Sequence, residues 1–152
     1  MDKSAVYIEM CTRAEEIQQA WPRAHGDFYV GGDGRVACWI PRHDGHRRIA
    51  DGREVCRENG LVRLVPFVWL PRQDQLIEMA QVPHRRYAQT TQDYFDWTNT
   101  PYRALGDVPA RLFVSMEQLW LAYLMERRFG RQWDGREWCA PQSCRPGGGP
   151  DR

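Results

Sequence analysis

The pattern Gly32-x-Gly34-x-x-Ala37 has the lettering of a dinucleotide-binding turn, where glycines let the backbone approach a pyrophosphate at the start of a helix. Here Val36 to Ile40 is a run of strand formers, so these glycines read as hairpin turn residues and the phosphate site lacks its helix. Cys38, His43, His46 and Cys56 lie within one stretch, and Cys139 and Cys144 near the far end. Thiolate and imidazole are the ligands of tetrahedral zinc, so Cys38, His43, His46 and Cys56 are the metal candidates. Their irregular spacing is not that of a closed site, and no metal is assigned to them. His25 with Asp27, and His84 beside Arg85 and Arg86, are the pairs that could exchange protons, but each sits in a polar loop sequence. Neither Gly-x-Ser-x-Gly nor His-Glu-x-x-His occurs. Lys3 is the single lysine, which removes the amine of a Schiff-base enzyme and the lysine of a Walker loop. No catalytic residue and no cofactor is assigned, and the reading leans away from an enzyme.

Binding is the alternative use of side chains. Arg42, Arg47 and Arg48 cluster with two histidines, and Arg85 and Arg86, with Arg127, Arg128 and Arg131, can extend that cluster if the fold gathers them. A guanidinium fork suits phosphate, and a nearby indole allows base stacking. Asp44, Asp51, Glu54 and Glu58 interleave the first cluster, however, and favour a solvated mixed surface. Seven tryptophans are many for this length, and tryptophan serves both core packing and interfaces. Trp133 and Trp138 either hold a terminal hairpin against the helix beginning at Ser115 or face a partner.

The elements that must position these groups follow from size and patterning. At 152 residues the chain is long enough to bury a core as one domain over 1–140, with a Pro/Gly-rich tail over 141–152 expected to be disordered. A net charge of +1 gives no general attraction to nucleic acid. The longest apolar stretch is too short to span a bilayer, and an odd count of five cysteines with no export signal predicts reduced thiols and a cytoplasmic protein.

Thr12 and Glu15 form a capping box for a helix over 13–20. Asp27–Val30 and Arg35–Ile40 flank turn glycines as a hairpin, residues 41–60 read as a polar loop, and 61–70 as a strand that Pro66 makes bulged or peripheral. Further helices are predicted over 72–80 and from Thr90 or Thr91, the latter with Tyr94, Phe95 and Trp97 inward. Ser115 and Gln118 form the firmest cap, Val114 and Leu119 a staple over it, and Gly130 a C-cap. The helix between them is apolar nearly all round and must be the spine of the core. Asp134-Gly135 predicts a two-residue turn between Trp133 and Trp138. The fold class expected is α+β, a small antiparallel sheet or hairpins packed on about four helices. Asp51–Cys56 and Asp134–Cys139 share most of their residues, which common turn usage explains better than a repeat.

Two segments, Trp69–Met79 and Ser115–Met125 leading through Gly130 to Trp133–Trp138, together resemble a group of short proteins of tailed bacteriophages and prophages. The resemblance implies a phage or prophage gene acting in the bacterial cytoplasm, and it carries no site residue. The function expected is a non-enzymatic accessory protein that binds a host or phage protein, away from membranes. The alternative is a nucleic-acid-associated factor of phage replication or recombination, using the arginine clusters.

Overall fold

The computed structural model describes residues 1–32, 34–39, 49–50, 53–58, 61–81, 87–102 and 105–141, and of 49–66 the backbone alone. The fold is α+β. Among the described residues six helices accompany a three-stranded antiparallel sheet, a second three-stranded sheet and a terminal two-stranded hairpin. The helices are α1 (Ala5–Arg13), α2 (Glu15–Gln19), α3 (Gln73–Ala80), α4 (Tyr87–Thr98), α5 (Pro109–Leu112) and α6 (Met116–Phe129). The strands are β1 (Phe28–Val30), β2 (Val36–Cys38), β3 (Ile49–Ala50), β4 (Arg53–Glu58), β5 (Leu61–Pro66), β6 (Val68–Leu70), β7 (Gln132–Trp133) and β8 (Trp138–Cys139).

Helix α6 is the interior rod that its sequence requires. Ser115 Oγ accepts the Gln118 N–H, Gly130 closes the far end in the left-handed conformation, and every residue from Trp120 to Met125 is buried. Burying each large apolar side chain contributes roughly 1.5–3 kcal/mol, so this segment supplies much of the hydrophobic drive. The N-cap forms without the expected staple. Val114 is 88 % exposed, and its backbone N–H donates instead to the Gln118 side chain at 3.2 Å.

Helix α1 runs alongside α6 in the same direction. Ser4 meets Gln118 at the start, with the Gln118 amide donating to the Ser4 hydroxyl at 3.2 Å, and past the far ends Glu16 pairs with Arg131 at 3.0 Å. The helix expected over 13–20 is α2, shorter and with Ala14 rather than Thr12 at its N-cap, and α1, which precedes it, was not expected. Ser4, not Thr12, accepts the capping N–H, from Tyr7, while Thr12 lies inside α1 and donates its hydroxyl to Ile8 O. Tyr7, Met10, Cys11, Ala14 and Ile17 form one continuous buried stripe across α1 and α2, and burial of that stripe outweighs a capping box at Thr12.

The sheet order is β2-β1-β6, all antiparallel, with Tyr29 facing Ala37 on one side and Trp69 on the other. The run 61–70 divides after Pro66. Its first part pairs with β4 and its second with β1, so the chain changes sheet at Phe67. Residues 41–60, expected as a loop, contain β3 and β4. β3 pairs antiparallel with β4, and β4 with β5.

Helix α4 begins at Tyr87, earlier than expected, and Phe95 points outward, 56 % exposed, while Tyr94 and Trp97 face inward. Tyr94 stacks on Trp120 with ring centroids 3.9 Å apart and planes 4° from parallel, and Trp97 donates to Glu126 at 2.8 Å. The connection between β7 and β8 is four residues long, not two. The Asp134 side chain accepts the Arg136 and Glu137 N–H groups, both at 2.8 Å, and Gly135 takes a positive φ of 101°. The expected tail lies outside the described residues from 142 onward.

Candidate functional site

Arg42, His43, His46, Arg47, Arg48, His84, Arg85 and Arg86 lie outside the described residues. Cys56 is described by its backbone in β4, and Cys38 is a free, exposed thiol on β2. Among the described residues no group of three or more His, Cys, Asp or Glu side chains is placed to hold a metal ion. Cys139 is disulfide-bonded, which corrects the expectation of a reduced thiol there. Its sulfur has no proton to donate, so the 3.4 Å approach to Gln132 O is a contact only. Gly32, Gly34 and Ala37 lead into strand β2, not a helix, so the dinucleotide pattern is a hairpin turn.

Trp133 and Trp138 are buried, with rings 5.2 Å apart, and Trp138 donates its indole N–H to Met10 O at 2.9 Å. They hold the terminal hairpin against α1 and present no face to a partner. Tyr102 reinforces the same corner, its hydroxyl accepting the Trp133 N–H, and burial drives that phenol far above its ordinary pKa.

Arg127, Arg128 and Arg131, expected to extend the cluster, are engaged within the protein, as is Arg72 outside it. Arg128 donates to Met79 O at 2.9 Å, Arg131 pairs with Glu16, and Arg127 lies over the Tyr123 ring at 5.7 Å. Arg72 reaches both Asp27 and Asp74.

Of the expected proton-exchanging pair, His25 is exposed and Asp27 fully buried. The Asp27 carboxylate accepts from Trp21 Nε1 at 2.6 Å, Ala24 N at 2.7 Å, Gln75 Nε2 at 2.6 Å and Arg72 at 3.4 Å. Burial works to raise its pKa. The hydrogen bonds from Ala24, Trp21 and Gln75 and the Arg72 charge outweigh that and hold it below the usual carboxylate range. With its lone pairs taken by structural donors, it ties the 21–27 loop to α3 and is not a general base.

Beside it, Trp21, Tyr29, Trp39 and Phe67 contact one another in all six pairings, with centroids 4.9–6.5 Å apart. Trp21 also stacks on Trp69. Such a closed tetrahedron of rings is a second small core where the 49–66 excursion leaves the sheet, and its centre holds no ligand-sized space.

What remains is a surface. The exposed large apolar side chains among the described residues are Met1, Val6, Tyr87, Phe95, Val114 and Met116. Met1, Val114 and Met116 lie at the start of α6, Val6 is on α1, and Tyr87 and Phe95 are on α4. Tyr87 and Phe95 lie two turns apart on α4, and the Phe95 ring is 5.6 Å from Tyr94, whose hydroxyl lies 3.9 Å from Met116 Sδ. The Met1 amino group pairs with Glu117 at 3.0 Å, and Asp2 accepts from the Ser115 hydroxyl and the Gln118 amide at 2.6 and 2.8 Å. These bonds bring the amino-terminal residues to the same pole. Sequence periodicity assigns Phe95 to the core, and nothing in the one-dimensional pattern groups residues 1, 95 and 114.

No protein-family model, curated protein or solved structure matches this chain. No helix among the described residues is long and apolar enough to cross a membrane.

Proposed function

We propose that this chain is a non-enzymatic accessory protein of a phage or prophage that acts in the bacterial cytoplasm by binding a protein partner. The observation carrying the binding part is the set of exposed apolar side chains at the start of α6, Met1, Val114 and Met116, with the exposed Phe95 ring of α4 against Tyr94, whose hydroxyl approaches Met116. Clustered exposed apolar groups are what a protein interface requires. The phage context rests on the resemblance of segments 69–79 and 115–138. The engagement of Arg72, Arg127, Arg128 and Arg131 within the fold supports a protein over a nucleic acid as partner.

The test compares the wild-type chain with Phe95→Glu and Val114→Glu, both surface changes that leave the core untouched, as baits in lysate of prophage-bearing bacteria. A partner retained by the wild type and lost by both variants, at unchanged thermal stability, is the expected result. Equal capture by all three overturns the assignment of this face. Salt-sensitive binding of single- or double-stranded nucleic acid replaces the protein-partner reading with the arginine-based alternative.

A further inference from the structure

The two outer edges of the β2-β1-β6 sheet are treated differently. Phe28 and Val30 of β1 pair with Leu70 and Val68, which leaves the main-chain groups of Trp69 pointing away from the ladder. Gln18 satisfies both of them. Its Oε1 accepts the Trp69 N–H at 2.7 Å and its Nε2 donates to Trp69 O at 3.0 Å, so the side-chain amide completes the edge as a neighbouring strand does.

At the opposite edge, Trp39 N donates to Asp27 O and Gly31 N to Arg35 O, so residues 35, 37 and 39 turn their main-chain groups toward β1. Val36 and Cys38 therefore turn theirs outward. Neither is buried, and among the described residues β2 pairs with β1 alone.

The geometry points to a second copy of this chain as the strand that completes this edge. An antiparallel β2 from a second copy, related by a twofold axis at Ala37, places Val36 opposite Cys38 of the other copy and Cys38 opposite its Val36. In each such pair both residues exchange N–H···O bonds, so all outward groups of both strands are used. Ala37 meets its own copy at the axis in the close, non-hydrogen-bonded position, where a small side chain is needed. On the same face Arg35 lies opposite Trp39 of the other copy, a cross-strand pairing of a guanidinium with an indole. The product is one continuous six-stranded sheet built from two three-stranded ones.

Sedimentation and a cysteine cross-link test this on the full chain. The wild type is expected to show a reversible dimer. Ala37→Cys is expected to form an intermolecular disulfide under mild oxidation, because the paired Cα atoms fall within disulfide reach, whereas Cys38 faces a valine and does not cross-link. Val36→Pro removes an outward N–H, which an edge strand tolerates, together with part of a half-buried side chain that packs on the core, and is expected to weaken dimerisation about tenfold or more with only a small loss of melting temperature. A wild type that stays monomeric together with an Ala37→Cys variant that stays reduced overturns the inference. So does a dimer that Val36→Pro leaves intact, since its interface then lies elsewhere. Neither outcome bears on the apolar pole, which Phe95→Glu probes separately.

Discussion

The indole N–H of Trp21 donates to the fully buried carboxylate of Asp27 at 2.6 Å, and through that contact the turn after α2 is tied to Gln75 of α3 and to its N-cap residue Arg72. Removing the carboxylate leaves three donors and a guanidinium without their shared acceptor. Asp27→Ala is expected to cost about 3–5 kcal/mol of unfolding free energy, read by urea denaturation. Trp21→Phe, which deletes one donor and keeps most of the ring, is expected to cost about 1–2 kcal/mol.

Acid sensitivity follows from the same group and from Asp2. For both, burial raises the pKa and is outweighed, by hydrogen bonds from Ala24, Trp21 and Gln75 and the Arg72 charge at Asp27, and by hydrogen bonds from Ser115, Ser4 and Gln118 at Asp2. A carboxylate with a depressed folded pKa contributes stability that is fully present above its unfolded value of 3.8 and is lost as pH falls through the lower folded value. Wild-type stability is therefore expected to fall below about pH 4. The Asp2→Asn/Asp27→Asn variant starts lower at neutral pH and loses less over that interval. Parallel curves for the two proteins contradict the assignment.

The contact between Asp2 and Ser115 joins the amino-terminal residues to the cap of the core helix. Ser115→Ala is expected to cost about 1 kcal/mol, from the lost Gln118 N–H cap. Asp2→Ala is expected to cost a similar amount. Because both residues act on one network, the double variant is expected to lose less than the sum by about 0.5 kcal/mol or more, and strict additivity contradicts the contact.

Gln18→Met keeps the length of the side chain and removes the amide that closes the β6 edge. It strands the outward N–H and carbonyl of the buried Trp69, and removes one of the two donors to the Cys11 carbonyl, which keeps the Ala14 N–H. A loss of about 2–3 kcal/mol is expected by thermal melting, together with faster amide exchange at Trp69.

At the end of α6, Gly130 has φ +63°, a conformation that costs an L side chain energy even where space is open. Gly130→Ala is expected to destabilise by about 1 kcal/mol, while Gly130→Asn, which tolerates this region better, is expected to cost less.

The elements legible in the sequence are those whose signals are local. Ser115 and Gly130 mark α6, Pro71 precedes α3, and the glycines after Val30 mark the first hairpin, because caps and tight turns are set by backbone geometry within a few residues. The α6 interior was legible for a similar reason, since a helix apolar nearly all round has no stable place on a surface. The start of α1 and the strands β3 and β4 were not. A capping signal at Thr12 competed with a better buried stripe, and polar strands carry no apolar alternation to reveal them.

By itself, then, the sequence determined an α+β chain with one helix, capped at Ser115 and Gly130, whose central stretch is buried all round. Only the tertiary structure decided that Phe95 and Val114 face outward at one pole, that Trp133 and Trp138 face inward, and that Asp27 is a structural anchor. Those outcomes depend on which elements meet across tens of residues of chain. Burial is a property of the packed assembly, and a side chain's place in the sequence does not contain it.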